Sequence, residues 1–190
     1  MKKMKTLFIR DYFDNHKFTL TDKVAEGYEL VLAGEGKATR KYDGTCCLIK
    51  NNQIYRRFDW KKGRNLPKNA IPCQEKADEV TGSFPHWVLC EESNPNDKWY
   101  IKAFNVKKSW LDGTYELCGE HFQNNIDKTV QTGDILIRHG EDILDVPRDF
   151  SGIRAYLNDH QIEGIVFHRE NGDMCKIKRS DFGFTLGRKR

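Results

Sequence analysis

Short runs of β-branched and aromatic residues, interrupted by turn residues, recur along the chain and predict strands joined by hairpins. Residues 45–50 and 53–58 flank Asn51-Asn52, a two-residue turn signal between two strand-forming segments. Residues 162–168 and 174–178 flank a second polar turn that contains glycine. These two segments therefore predict antiparallel strand pairs.

Helices are predicted to be few. Residues 151–159 carry apolar side chains at helical spacing, and residues 74–80 are predicted to form a second, short helix. Residues 87–91 and 98–104 are interpreted as the strands of a third hairpin with a longer loop. The predicted fold class is α+β, with antiparallel sheets as the scaffold.

Length and composition predict a single domain, residues 1–190, with a hydrophobic core of its own. Hydrophobic residues make up 38% of the chain and charged residues 32%, and no apolar run is long enough to span a membrane. The basic start is followed by an apolar stretch too brief for a signal peptide, so we expect a cytoplasmic protein without a membrane partner.

Cysteine usage and charge add two expectations. The six cysteines include no C-x-x-C pair and no Cys/His cluster with zinc spacing, which fits free thiols in a reducing compartment. The net charge of +4 permits a polyanionic partner. The basic tail Arg188-Lys189-Arg190 is interpreted as a solvated terminus, with a nucleic-acid contact as the alternative.

The segment Lys41-Tyr42-Asp43-Gly44-Thr45 carries the main chemical signal, because Lys-x-Asp-Gly is typical of enzymes that attach a nucleotide to a lysine. The amine must lose its proton to attack, which burial and neighbouring cations favour. If one strand continues through the segment, Lys41, Asp43 and Thr45 share a face. Gly44 would let the backbone approach a phosphate or a sugar closely. The same four letters also occur by chance at turns.

Two carboxylates follow in segments predicted as strands. Glu116 lies in a strand that ends at Gly119, where its carboxylate could accept hydrogen bonds from a ribose hydroxyl; the alternative is an ordinary exposed strand glutamate. Glu163 precedes an apolar strand and faces Lys176 and Lys178 across a hairpin. It is therefore predicted either to hold a hydrated Mg²⁺ or to form a structural ion pair with those lysines.

Basic side chains complete the predicted site. Lys176 and Lys178 share a strand face, so both ammonium groups can meet one α-phosphate; the alternative is a charged strand end. Strand alternation sends Arg56 and Arg57 to opposite faces, so one of them could bind phosphate with its guanidinium. The scattered histidines form no recognisable catalytic constellation in the sequence.

Taken together and in order, these segments resemble the covalent nucleotidyltransferase superfamily of ATP-dependent ligases and mRNA capping enzymes. The resemblance is closer to small stand-alone 5′-to-3′ RNA ligases related to the vertebrate cytosolic RNA ligase. The segments that carry it are residues 38–47, 57–59, 115–119, 137–140, 163–167 and 176–183. It implies two antiparallel sheets with flanking helices and the nucleotide in the groove between them.

The resemblance also implies a role for each site residue. Lys41 would be the adenylylated nucleophile, with Asp43 and Gly44 beside the nucleotide. Arg57 would contact a phosphate or the RNA end, and Glu116 would hold the ribose. Glu163 would organise the metal, Mg²⁺ or alternatively Mn²⁺, while Lys176 and Lys178 would hold the α-phosphate, Lys178 taking part in catalysis. Many relatives stack the base on an aromatic side chain, and here His139 is the residue available for that contact.

The implied activity is an ATP-dependent RNA ligase that joins 5′-phosphate and 3′-hydroxyl RNA ends, as in RNA repair. Only residues 179–190 follow Lys178, too few for a C-terminal OB-fold, so we expect the catalytic domain alone. A DNA ligase and a guanylyltransferase are alternatives that the expected absence of this domain disfavours. A non-catalytic RNA-binding module is a further alternative, disfavoured because every catalytic residue type is present.

Overall fold

A computed structural model describes residues 3–14, 17–79, 81–125 and 129–186 of the chain. The described residues form strands and helices in a mixed α+β arrangement that is mostly sheet, as predicted. The strands are β1 (Lys5–Thr6), β2 (Phe8–Asp14), β3 (Lys17–Val24), β4 (Lys37–Lys41), β5 (Thr45–Lys50), β6 (Gln53–Trp60), β7 (Ile71–Pro72), β8 (Phe84–Leu89), β9 (Gly113–Gly119), β10 (Asp134–Arg138), β11 (Ile143–Leu144), β12 (Gly164–His168) and β13 (Met174–Lys178). The α-helices are α1 (Glu29–Leu32), α2 (Lys98–Phe104) and α3 (Phe150–Asp159).

The chain divides into two compact units, and the single domain expected from its length stays a prediction. One unit comprises residues 1–3 and 43–139, and the other residues 4–42 and 140–190. No helix in the described part of the chain is long and apolar enough to cross a membrane. The basic tail at residues 188–190 lies outside the described residues.

The unit formed by residues 4–42 and 140–190 contains a five-stranded sheet in the order β1-β13-β12-β4-β11. Its strand pairs are antiparallel except for the short β1, which pairs in parallel with β13. Ile165 and Ile177 point from this sheet into a core shared with Ile153 and Leu157 of α3, and all four side chains are fully buried. Asp149 caps α3 by accepting a hydrogen bond from the backbone N–H of Gly152 at 2.8 Å. The opposite face of the sheet carries Thr39, Lys176 and Lys178 together with the apolar Val166.

The unit formed by residues 1–3 and 43–139 contains a fully antiparallel six-stranded sheet in the order β10-β9-β5-β6-β8-β7. One face packs around Cys47, Ile49, Tyr115 and Leu117, with Ala103 of α2 in the same buried cluster. The alternate positions of β5 and β9, including Cys46 and Glu116, lie on the other face.

Two of the three predicted hairpins and the predicted helix at 151–159 are confirmed. Asn51 and Asn52 have φ angles of 51° and 53°, the left-handed conformation that a tight hairpin turn requires. Residues 98–104, predicted as a strand, form α2 instead. Asn94 and Pro95 begin a 3₁₀ turn, in which the Asn94 side chain accepts a hydrogen bond from the backbone N–H of Asn96, and this turn leads into the helix.

Two further expectations were wrong. The segment predicted as a second helix is not helical at residues 74–79, and residue 80 lies outside the described residues. The strand of Lys41 does not continue to Thr45: β4 ends at Lys41 in the five-stranded sheet, and β5 begins at Thr45 in the six-stranded sheet. Lys41, Asp43 and Thr45 therefore do not share the face of one strand. Asp43-Gly44 is the connection at which the chain leaves one sheet for the other.

Candidate functional site

Three lysines share one face of the five-stranded sheet. Strand β12 lies between β4 and β13, and Gly164 pairs with Lys41 on one side and with Lys178 on the other. Two residues along, Val166 pairs with Lys176. Paired residues, and residues two apart in a strand, point to the same face of a sheet. Lys41, Lys176 and Lys178 therefore project from the face opposite the α3 core.

Glu163 supplies the carboxylate of this lysine cluster, defined as Lys41, Lys176, Lys178 and Glu163. One carboxylate oxygen accepts a hydrogen bond from Lys178 Nζ at 2.6 Å, and the other contacts Lys41 Nζ. The Glu163 side chain is 13% exposed, so these ion pairs are shielded from bulk water. Of the two lysines expected to face Glu163, Lys178 does so directly. Lys41 takes the second position instead of Lys176.

Gly164 makes this arrangement possible because the neighbouring backbone leaves no room for a side chain. A Cβ atom there would lie 2.9 Å from Lys178 Cα and closer still to the carbonyl oxygen of Ile177. The glycine brings β12 and β13 together directly after Glu163. The two lysines that pair with Gly164 in the sheet are the two that contact the Glu163 carboxylate.

Lys176 differs from the other two lysines because no described carboxylate lies within ion-pair distance of it. Burial lowers the pKa of Lys176 to about 8, and the positive charges of Lys178 and Lys41 contribute. Glu163 acts in the opposite direction. The cluster thus combines three basic groups with a single carboxylate, and it has an excess of positive charge. An anion is the ligand that would balance this charge.

Two residues that hold Lys178 in position, Asp181 directly and Arg10 through Asp181, were not predicted from the sequence. Asp181 accepts a hydrogen bond from the backbone N–H of Lys178 at 2.8 Å and another from the Arg10 guanidinium at 2.6 Å. The Asp181 side chain is only 2% exposed. An aspartate three residues after Lys178 was a local signal for this turn, whereas Arg10 is 171 positions away and left no such signal.

The other predicted site residues lie in the unit formed by residues 1–3 and 43–139. Glu116 is buried, so the alternative of an ordinary exposed glutamate is wrong. Its carboxylate lies 2.9 Å from Nε2 of His139, and Nδ1 of His139 lies 3.0 Å from Oγ1 of Thr114. Cys46 pairs with Glu116 between β5 and β9. Burial raises the pKa of the Cys46 thiol to about 12, and the charge of Glu116 contributes, while Arg57 acts in the opposite direction.

Gly44, expected to let the backbone approach a phosphate or a sugar, packs closely against strand β9 of the protein in the structure. A Cβ atom on Gly44 would lie 2.8 Å from Sγ of Cys118 and 3.0 Å from Cγ of Glu116, so glycine is needed for packing against β9. Arg56 and Arg57 have separate partners, as alternation predicts. Arg56 contacts Asp97 at 2.7 Å and Arg57 contacts Asp59 at 3.1 Å.

The predicted site residues therefore fall into two groups, one in each unit. Lys41, Glu163, Lys176 and Lys178 form the lysine cluster, whereas Asp43, Gly44, Arg57, Glu116 and His139 belong to the other unit. No protein-family model matches the sequence, and no curated protein matches it either.

Proposed function

We propose that this protein is an ATP-dependent 5′-to-3′ RNA ligase of the nucleotidyltransferase fold, with Lys41 as the residue that carries AMP. The observation that carries the proposal is the lysine cluster. The lysine of the Lys-x-Asp-Gly segment lies on the same sheet face as two further lysines and beside one carboxylate. A phosphate group attacked by the Lys41 amine would find the complementary charges in place.

In the first step the Lys41 amine attacks the α-phosphate of ATP. A nitrogen–phosphorus bond forms, the bond from the α-phosphorus to the bridging oxygen breaks, and pyrophosphate leaves. In the resting protein Lys41 Nζ donates a hydrogen bond to Glu163, so this contact must break and one ammonium proton must pass to solvent before attack. Lys178 and Lys176 would balance the charge on the phosphate.

Glu163 is the residue that would hold Mg²⁺. It is the one carboxylate of the lysine cluster, and Mg²⁺ is commonly bound by one or two carboxylates together with substrate phosphates and water. Mg²⁺ would supply charge neutralisation at the phosphates, and Mn²⁺ would serve as an alternative. The lysine ion pairs occupy both carboxylate oxygens in the resting protein, so Glu163 would exchange partners when metal and nucleotide bind.

For the other unit the proposed roles rest on the resemblance alone. Glu116 would accept hydrogen bonds from the ribose, His139 would contact the base, and Arg57 would contact a phosphate. Asp43 and Gly44 would lie beside the nucleotide. In the second step AMP passes from Lys41 to a 5′-phosphate RNA end, and in the third a 3′-hydroxyl displaces AMP. We expect the protein to act in the cytoplasm.

The first test is labelling with α-labelled ATP or GTP in the presence of Mg²⁺. The wild-type protein should form a covalent adduct with AMP, and Lys41→Ala should form none. Lys37→Ala is the matched control, because Lys37 lies on the same face of the same strand and its ammonium donates a hydrogen bond to the carbonyl of Gly140 at 2.8 Å, outside the lysine cluster. A label that persists in Lys41→Ala would place the nucleophile elsewhere. Preferred labelling by GTP would favour a guanylyltransferase.

The second test is strand joining with 5′-phosphorylated RNA, DNA and mixed strands. We expect RNA ends to be joined and strands with an all-DNA 3′ end to react poorly, because the 2′-hydroxyl is the group that distinguishes RNA from DNA. Activity should fall with added salt, since phosphate contacts release counterions. Efficient sealing of nicked all-DNA duplex with little activity on RNA would identify a DNA ligase. Adduct formation without joining of either polymer would argue against the ligase assignment.

A further inference from the structure

Three potential metal ligands converge in the six-stranded sheet, in the unit that does not contain the lysine cluster. The ligand atoms of Cys46, Glu116 and His139 all lie within 4.8 Å of one another. Cys46 and Glu116 are paired across β5 and β9, and His139 directly follows β10, the neighbour of β9. Sequence spacing gave no sign of this group, because the three residues come from three separate strands or their ends.

The chemistry of the ligands selects the class of metal. A thiolate, an imidazole and a carboxylate are the donors found at zinc sites, whereas Mg²⁺ takes oxygen donors. In a tetrahedral zinc site, ligand atoms about 2.0–2.3 Å from the metal lie roughly 3.3–3.8 Å from one another. The Glu116–His139 distance of 2.9 Å and the 4.8 Å limit bracket this range, so side-chain adjustments of less than about 2 Å suffice.

The surroundings of His139 match those of a metal-bound imidazole. Nε2 faces Glu116, and Nδ1 is within hydrogen-bond distance of Thr114 Oγ1 at 3.0 Å. With a proton on Nδ1 donated to Thr114, the Nε2 lone pair is free for a metal. Such a partner on the second nitrogen fixes the tautomer and the orientation of metal-binding histidines.

We propose that Cys46, Glu116 and His139 form a binding site for a zinc-class divalent cation. On binding, the metal replaces the thiol proton of Cys46, which leaves to solvent, and the Nε2 proton that His139 donates to Glu116, which moves through solvent to Nδ1 of the same ring. The thiolate, the carboxylate and the divalent cation sum to zero charge, which suits two ligands that are buried. With three protein ligands, the fourth position of a tetrahedral metal is left for water. The metal would join β5 and β9 to the turn after β10.

The test is a titration of the purified, chelator-treated full-length protein with Co²⁺, followed by displacement with Zn²⁺. A tetrahedral site with one thiolate should give a sulfur-to-cobalt charge-transfer band in the near ultraviolet and visible bands that saturate at one equivalent. Zn²⁺ should abolish both, and it should raise the melting temperature of the protein. Excess Mg²⁺ should neither abolish the cobalt bands nor raise the melting temperature. Glu116 and His139 are also the proposed ribose and base contacts, so a bound metal would occupy them in place of a nucleotide. The assay contains no nucleotide or RNA, so it tests the metal site separately from the proposed ligase activity.

Two variants test the Cys46 and His139 ligands, and a third serves as the control. Cys46→Ser should lose the charge-transfer band, and His139→Gln should weaken cobalt binding by more than about 10–100-fold, the loss typical when only an outer-shell partner of a ligand is removed. Cys118→Ala is the matched control, because Cys118 is a buried thiol of β9 outside the ligand group, and it should bind as the wild-type protein does. Circular dichroism of each variant establishes that it folds. No saturable band in the wild-type protein, or an unchanged band in folded Cys46→Ser, would overturn the proposal.

Discussion

Glu163 and Lys178 form an ion pair of 2.6 Å at the point where β12 begins and β13 ends. Their side chains are 13% and 30% exposed, respectively. The other oxygen of Glu163 contacts Lys41, so a single carboxylate links the lysines that flank Gly164 in the sheet. A purely structural ion pair would need one lysine. The additional positive charge is the feature on which the proposed phosphate-binding role of this group rests.

Removal of either charge should therefore impair adenylylation. We expect Glu163→Gln and Lys178→Met each to slow formation of the Lys41 adduct by about 100-fold or more, the loss typical of one preorganised charged group. Adduct formation from α-labelled ATP is the measurement.

The control for this pair is Glu35→Gln. Glu35 forms a similarly shielded ion pair of 2.9 Å with Arg169 in the same unit, but Arg169 does not belong to the lysine cluster. Its loss should leave the adduct rate nearly unchanged. Near-normal rates of adduct formation in both Glu163→Gln and Lys178→Met would show that the Glu163–Lys178 ion pair has only a structural role.

Asp181 should contribute more to stability than a surface carboxylate does. Asp181→Asn leaves the partly buried Arg10 without its charged partner, and we expect a loss of about 3 kcal/mol in the free energy of unfolding. Glu79→Gln provides the comparison, because Glu79 and Lys76 form an exposed pair that should contribute less than about 1 kcal/mol. Urea denaturation measures both. Equal losses of unfolding free energy in Asp181→Asn and Glu79→Gln would show that Asp181 stabilises the protein no more than a surface carboxylate does.

The sequence predicted local features well where the signal was local. Asn51 and Asn52 marked a tight turn because few other residues accept their backbone conformation. Strand alternation placed Lys176 and Lys178 on one face, and the structure confirms this register. Residues 98–104 were misassigned because the preceding turn and packing against the six-stranded sheet favour a helix there.

The relationships that the sequence could not reveal join distant positions. Arg10 reaches Asp181 through the fold alone, and nothing in the spacing of Cys46, Glu116 and His139 indicated that they meet. The chemistry of such groups depends on strand order and register. In β-sheet proteins these are set by non-local pairing, not by the local pattern of residues.

Gly164→Ala should both destabilise the protein and impair the lysine cluster. The added methyl group would collide with the backbone of Ile177 and Lys178, and backbone must then move. Overpacking of this kind costs about 1–3 kcal/mol. Gly172→Ala is the control that separates loss of stability from damage to the lysine cluster. Gly172 lies in the turn of the same hairpin, with a φ of 82° and open space around it. Alanine there strains the backbone but contacts neither Lys41 nor Lys178. Only Gly164→Ala should also slow adduct formation in protein that is still folded.

The lowered pKa of Lys176 predicts a pH dependence of stability with a definite sign. The pKa is about 8 in the folded protein and 10.5 in an unperturbed lysine, so between these values the unfolded chain binds more protons than the folded one. The free energy of unfolding must then rise with pH across this interval. Well below pH 8 the lysine is charged in both states, and its burial and the repulsion from Lys178 and Lys41 count fully against folding.

Lys176→Met isolates this contribution, because methionine keeps the length of the side chain and cannot titrate. The difference in unfolding free energy between Lys176→Met and the wild-type protein should be larger at pH 7.5 than at pH 10, because the wild-type lysine loses its proton over this interval. Urea denaturation at the two pH values gives the difference, in which the titration of cysteines and tyrosines common to both proteins cancels. A difference that stays constant or grows with pH would show that Lys176 keeps its charge up to pH 10. Only a pKa that is lower in the folded protein than in the unfolded chain makes the cost of burying the charged lysine decline as pH rises.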